Sequence, residues 1–173
     1  MRELTEIRWH ARAGQGAKTA SQILALALLR AGKSVQSFPE YGPERRGAPL
    51  RAYTRYSARP VRRHDSVTEP DLVVVLDPSL LAEPAVAEGV DVETEVLVNA
   101  EGEADAVGAA RVRAVPAARR GVSFANVAML GAVASTLGEP PLELADHGGI
   151  LVGHAPDPDL GRAVGIPRGI ERG

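Results

Sequence analysis

The chain has 173 residues and a mass of 18.2 kDa, enough for one domain of ordinary size with a substantial hydrophobic core. Hydrophobic residues make up 45% of it, and 20 basic side chains balance 22 acidic ones, which excludes a disordered, fibrous or nucleic-acid-coating protein. No cysteine is present, and this excludes disulfides, thiolate nucleophiles, iron–sulfur ligands and cysteine-type zinc sites within the chain.

The sequence also argues against a membrane protein. The apolar stretch without charge at residues 20–29 is too short to span a bilayer, and the first residues lack the apolar segment of a signal peptide. We therefore expect a cytoplasmic protein that has neither a membrane nor a nucleic acid as partner.

The first predicted elements are a strand, a glycine turn and a helix. Residues 6–11 alternate in the period of two that is typical of a strand, and they lead directly into Gly14-Gln15-Gly16. Apolar residues then recur at helical spacing from Ala20 to Ala31, which predicts a helix ending at Gly32. A second strand over 34–38 completes a β-α-β unit, whose crossover is right-handed if the two strands are neighbours.

Further strands and helices follow in alternation. Strands are predicted over 50–57, 72–76, 95–99 and 111–115. The second of these is apolar on both faces, as a central parallel strand covered by helices must be. Pro78 opens a short helix through residue 81, and Ser123 caps a longer one over 124–137, which Gly138 and two prolines end.

This order predicts an α/β fold. We expect a doubly wound, mostly parallel sheet in a single Rossmann-like domain over residues 1–145. Residues 146–173 are rich in Gly and Pro with little periodicity, so we expect an irregular tail there that could dock on a partner.

The glycine turn is the first candidate site. Backbone N–H groups at the start of a helix can hold an anion, which makes Gly14, Gln15 and Gly16 candidate ligand-binding residues together with the preceding Arg12. The turn matches neither the G-x-G-x-x-G dinucleotide fingerprint nor the P-loop. Anion binding and a tight turn that needs glycine only for close packing both remain open.

A loop over residues 39–49 is the second candidate. It holds Glu44, Arg45 and Arg46 next to Gly47, and its prolines and glycines fix its shape. Paired opposite charges on a rigid loop suit the recognition of a carboxylate, a phosphate or a partner surface, and the alternative is an ion-paired, solvated turn.

Other polar residues carry weaker signals. Arg51 and Arg55 fall on one side of a strand, which predicts a positive stripe that serves as an interface or an anionic-cofactor surface, with a solvated edge strand as the alternative. The four histidines show no metal-like spacing, and His10 is interpreted as a packed or surface residue. Asn126, in the first turn of the last helix, could donate to a ligand or cap the helix. Neither a catalytic residue nor a metal site is predicted.

Four segments resemble the gamma subunit of 2-oxoacid:ferredoxin oxidoreductases of the pyruvate and 2-ketoisovalerate type. They are the glycine turn at 12–16, the loop FPEYGPERRGAP at 38–49, the strand PDLVVVLDP at 70–78 and the helix start NVAMLGA at 126–132. The loop is the most specific of these matches, and the resemblance covers about residues 3–145.

The resemblance implies a subunit and not a complete enzyme. In such complexes companion chains hold thiamine diphosphate, magnesium and [4Fe–4S] clusters, and the whole converts a 2-oxoacid and coenzyme A to acyl-CoA while ferredoxin takes the electrons. This chain would bind no cofactor alone but could contact coenzyme A, whose phosphates suit the arginine-bearing loop. The remaining alternatives are a free-standing nucleotide-binding protein and a purely structural assembly module.

Overall fold

The computed structural model describes residues 3–40, 47–63, 65–117 and 125–138. In these residues six strands form one sheet: β1 (Leu4–Arg12), β2 (Ser34–Glu40), β3 (Pro49–Ser57), β4 (Leu72–Val75), β5 (Glu95–Asn99) and β6 (Arg111–Val115). Three α-helices accompany them: α1 (Ala17–Arg30), α2 (Pro84–Ala87) and α3 (Ala125–Leu137), with a 3-10 helix at Pro78–Ala82. The predicted α/β fold is confirmed.

The strand order is β2-β3-β1-β4-β5-β6. The pairs β1–β4, β4–β5 and β5–β6 are parallel, as a mostly parallel sheet requires. Strand β3 pairs antiparallel with both β1 and β2, so it separates the two strands of the predicted β-α-β unit. The first and second strands therefore run in the same direction but are not neighbours.

The core has one cluster on each face of the sheet. On the first face, Ile7 and Trp9 of β1 pack with Leu24 of α1 and Met129 of α3. On the opposite face, Val73 of β4 and Val96 of β5 pack around Leu80 of the 3-10 helix and Val86 of α2. Both faces of β4 are thus buried, in agreement with its uniformly apolar sequence.

Most element positions agree with the sequence analysis. Helix α1 buries Ala20, Leu24 and Leu28 of the predicted apolar stripe. The 3-10 helix at Pro78–Ala82 lies where a short helix was predicted, and Asp77 accepts a hydrogen bond from the Ser79 N–H at its start. Ser123 and the tail at 146–173 lie outside the described residues.

Candidate functional site

The glycine turn joins β1 to α1 with two residues in the left-handed backbone region. Gly14 has φ +100° and Gly16 has φ +83°, conformations that other residues rarely adopt. A Cβ atom on Gly16 would also lie 2.5 Å from Nδ2 of Asn126, in the first turn of α3. Gly16 is therefore required for its backbone conformation, and a larger residue there would also displace the Asn126 side chain.

The Arg12 side chain crosses the end of β1 and joins three segments. Its Nη1 donates to the carbonyl of Gly47 at 3.1 Å, and its Nη2 donates to Oγ of Ser79 at 2.8 Å. Its Nε lies 3.3 Å from Oδ2 of Asp77. A guanidinium has five N–H groups, so two of them keep no acceptor among the described residues and can bind an anion bidentately.

Gln15 connects the backbone of the turn to the carboxylate of Asp77. Its Oε1 accepts from the Arg12 backbone N–H at 2.7 Å, and its Nε2 donates to Asp77 Oδ2 at 2.9 Å. Partial burial raises the pKa of Asp77, but hydrogen bonds from Ser79 and Gln15 outweigh it and hold that pKa below its ordinary value. The carboxylate therefore stays ionised and orients both Arg12 and Gln15.

These residues lie at a topological switch point. Strands β1 and β4 are parallel neighbours, and after β1 the chain enters α1 on the first face of the sheet. After β4 the chain enters the 3-10 helix on the opposite face. Open α/β sheets bind ligands outside the carboxyl ends of two strands that diverge in this way, which marks this edge as the candidate site.

The structure brings together six of the predicted site residues. Arg12, Gly14, Gln15 and Gly16 form the turn, while Gly47 contributes a carbonyl to Arg12. Asn126 donates from Nδ2 to the Gly16 carbonyl at 3.4 Å, so in this structure it contacts the turn itself.

The other three predicted site residues, Glu44, Arg45 and Arg46, lie outside the described residues. Their place near the turn therefore stays a prediction. Gly47, which follows them directly, places the end of their loop at Arg12.

Two residues of the site were not identified from the sequence. Asp77 and Ser79 hold Arg12 and Gln15 in place, although nothing in their sequence pattern indicated a role in binding. Their signal was the order Asp-Pro-Ser directly after an apolar strand, because an acidic residue before a proline is typical of a helix start.

The predicted positive stripe on β3 is wrong. Arg51 and Arg55 do share one side of the strand, but β3 is not an edge strand and Arg55 is 0% exposed. Arg55 pairs with Glu6 at 2.9 Å, and Arg51 pairs with Glu40 at 2.8 Å. Asp65 of a neighbouring loop and carboxylates from β1 and β2 neutralise both charges, so among the described residues these two arginines form no open cationic surface.

In the part of the chain that the structure describes, no helix has the length and apolarity needed to cross a membrane. The same residues contain no group of three or more acidic or histidine side chains arranged to hold a metal ion.

Known proteins resemble this chain over most of its length. A family model described as pyruvate ferredoxin/flavodoxin oxidoreductase matches residues 6–147. The pyruvate synthase subunit PorC of Thermotoga maritima is 46% identical over 151 residues, which cover 80% of this chain and 77% of that protein. The pyruvate/ketoisovalerate oxidoreductases common subunit gamma of Thermococcus kodakarensis is 44% identical over 151 residues, covering 81% and 82%.

A solved structure agrees with these relatives. The crystal structure of pyruvate oxidoreductase subunit PORC from Thermotoga maritima matches with a TM-score of 0.70 and 42% sequence identity, covering 82% of this chain and 81% of that one. The keto/oxoacid ferredoxin oxidoreductase gamma subunit from Geobacter sulfurreducens, at 23% identity and a TM-score of 0.60, shares the fold.

Proposed function

Because this chain belongs to the pyruvate ferredoxin/flavodoxin oxidoreductase family, we propose that it is the gamma subunit of a multi-subunit 2-oxoacid:ferredoxin oxidoreductase. The complex would oxidatively decarboxylate pyruvate or a branched-chain 2-oxoacid, form acyl-CoA and pass the electrons to ferredoxin. The single observation that carries this proposal is the family match over residues 6–147, which includes every described residue of the candidate site. The proposal includes a cytoplasmic location.

The composition of the chain supports a subunit that depends on companions. It holds no cysteine, and iron–sulfur clusters are held mainly by cysteine thiolates. The [4Fe–4S] clusters, thiamine diphosphate and magnesium would therefore be bound by the catalytic and iron–sulfur subunits. This chain would contact ferredoxin only indirectly and would provide no catalytic group alone.

The candidate site fits the phosphates of coenzyme A. The Arg12 side chain is 36% exposed and has two N–H groups with no acceptor among the described residues, and the sequence places Arg45 and Arg46 on the adjoining loop. The carboxylate of Asp77 opposes an anion, but it is engaged by Arg12, Gln15 and Ser79. We therefore place the phosphates at Arg12 and on the loop that carries Arg45 and Arg46, directly before Gly47.

Affinity purification of the chain from its native host, followed by mass spectrometry, tests the proposed function. Thiamine-dependent and iron–sulfur subunits should accompany the chain, and the purified complex should reduce ferredoxin when it receives a 2-oxoacid and coenzyme A. Recovery of the chain without such companions would contradict the proposal, and tight binding of NAD or FAD to it alone would favour a free-standing nucleotide-binding protein.

The loop arginines separate coenzyme A binding from a purely structural role. Replacing Arg45 and Arg46 together by alanine should weaken coenzyme A use or subunit assembly while the fold stays intact, because exposed loop substitutions cost little stability. The control is the double alanine variant of Arg59 and Arg62, two exposed arginines that carry the same total charge. Equal turnover and assembly in both double variants would show that the loop has neither role.

A further inference from the structure

Strand β2 forms one edge of the sheet, and part of its backbone is open on the outer side. The N–H of Ala13 donates to the carbonyl of Ala48, which fixes the alternation of hydrogen bonds between β1 and β3. Carried across β3, this alternation directs the backbone N–H and C=O of Gln36 toward β3. Those of Val35 and Ser37 therefore point outward, where the described residues provide no neighbouring strand.

The outer edge of β2 lacks the charges that normally keep an edge strand from pairing with another chain. Residues 34–38 are uncharged, and only Pro39, which has no N–H, limits the open stretch at its end. The opposite edge strand, β6, carries Arg111 and Arg113. A groove of about 420 Å³ follows residues 35–38. Of the two edges, β2 is therefore the one suited to pairing.

Helix α1 presents an apolar side next to this edge. Ser21 accepts a hydrogen bond from the hydroxyl of Ser37 at 3.2 Å, so this side of the helix faces β2. Ala25 and Leu29 follow at intervals of four residues, and they turn gradually from the sheet to solvent, where Leu29 is 58% exposed. Among the described residues three large hydrophobic side chains are exposed, and Leu26 and Leu29 are two of them. The exposed apolar surface is thus concentrated on α1.

The spacing of these elements favours a second copy of the chain as the partner. Helix α1 packs equally on β2 and β3, so its axis lies above the gap between them, about 2.4 Å to the side of β2. Two β2 strands paired at the usual distance of about 4.8 Å would place the two α1 helices about 10 Å apart. Packed helices lie about 8–10 Å apart, so both layers fit at once. A partner that supplied only a strand would leave this side of α1 exposed.

We propose that the outer edge of β2 and the adjoining side of α1 form the interface of a symmetric homodimer. The two β2 strands run antiparallel and cross at Gln36, so Val35 of each copy exchanges both backbone hydrogen bonds with Ser37 of the other. Ser21 is level with Ser37, and Ala25, about 6 Å further along α1, is level with Val35. These two small residues therefore face each other across the two-fold axis and permit the close approach of the helices.

The charge of Lys33, directly before β2, does not oppose this pairing. Its Nζ lies 6.0 Å from the centre of the Tyr56 ring, on β3 and so away from the outer edge. Antiparallel pairing places the two Lys33 residues at opposite ends of the interface, about 20 Å apart at about 3.3 Å per residue. That distance exceeds the Debye length of about 8 Å at physiological salt, so their repulsion is screened.

The inference goes beyond the proposed function and does not depend on it. Arg12 of the candidate site lies on β1, and β3 separates β1 from β2, so the interface does not contain that residue. An assembled complex would hold two copies of this chain side by side.

Sedimentation equilibrium of the full-length chain tests the interface. The wild type should form a reversible dimer, and Leu29→Glu should raise its dissociation constant at least about tenfold, because a charge enters an apolar contact. Val92→Glu is the matched control, since Val92 is 71% exposed and lies before β5, away from the interface, so the dissociation constant should not change. A wild-type chain that stays monomeric at about 0.1 mM, with its edge covered by its own remaining residues or by a companion, would overturn the inference.

A disulfide cross-link tests the register. The chain has no cysteine, so Gln36→Cys introduces a single thiol. In the dimer the two substituted positions face each other as a non-hydrogen-bonded pair with Cα atoms about 4.5 Å apart, within the range of a disulfide. Oxidation should therefore give a covalent dimer, and Val92→Cys should not cross-link under the same conditions. A dimeric chain in which Gln36→Cys does not cross-link would place the contact elsewhere and overturn the inference.

The same cross-link in material purified from the native host separates this inference from the proposed function. Companion subunits together with a cross-linked pair of chains would support both. Companions without the cross-link would overturn the homodimer interface and leave the proposed function standing. A cross-linked pair that purifies without companions would overturn the proposed function and leave the interface standing.

Discussion

Replacement of Arg8 by methionine should cost the protein about 3 kcal/mol of unfolding free energy. Arg8 is 1% exposed, and its guanidinium donates to the carbonyls of Val67 at 3.3 Å and Val86 at 3.1 Å, as well as to Glu88 and His10. Val67 and Val86 are buried residues, and a buried carbonyl that loses its donor costs about 1–3 kcal/mol, so the two together cost about 2–6 kcal/mol.

Two effects reduce this cost. Burial lowers the pKa of Arg8, which shows that the charged group is itself disfavoured at this position, and methionine no longer carries that charge. Methionine also packs its own apolar side chain into most of the same space. A net loss near the lower half of the range is therefore expected.

Equilibrium unfolding in urea at pH 7 measures the difference. The control is Arg59→Met, because Arg59 is 78% exposed and its pair with Glu3 is worth less than about 1 kcal/mol. This prediction is wrong if the unfolding free energy of Arg8→Met is within about 0.5 kcal/mol of the wild-type value and depends on urea concentration with the same slope. In that case another donor or a water molecule satisfies these carbonyls, and Arg8 does not attach the loop and α2 to β1.

Three further variants test other contacts. Gly16→Ala should destabilise the protein by about 1–3 kcal/mol, since it adds strain at a positive φ and forces the Asn126 side chain to move, as a thermal melt would show. Below pH 6.5 His10 becomes protonated in the unfolded chain, while in the folded protein it stays neutral down to about pH 3. The free energy of unfolding should therefore fall by up to about 1.4 kcal/mol per pH unit as the pH drops through this range. His10→Gln should lose this part of the pH dependence. Glu6→Gln should cost about 1–3 kcal/mol, because the buried Arg55 loses its charged partner on β1 and keeps only Asp65, and an unchanged urea midpoint would contradict this.

The sequence predicts much of the fold because most elements are defined by local patterns. The apolar stripe of α1 and the two-sided apolar run of β4 depend only on residues within each element. The position of β3 between β1 and β2 could not be predicted in this way, because periodicity identifies a strand but not its neighbour. Helix α2 has four residues, too few to show a period.

The site was predictable in part for a similar reason. Arg12 and Gln15 stand next to glycines, whose backbone freedom marks a turn in any sequence. Arg8 was missed because alternation along β1 places it on the polar side, which normally faces water. Here that side is covered by α2 and the loop before β4, so polar residues that the pattern assigns to the surface are buried.

The position of β3 also governs the order in which the chain can fold during synthesis. Until residue 57 has left the ribosome, neither β1 nor β2 has a hydrogen-bonding neighbour on the side that β3 occupies. Once it has emerged, β1, α1, β2 and β3 can associate as a compact N-terminal unit, because α1 packs against all three strands. The parallel half can then add strand by strand to the exposed side of β1, beginning with β4.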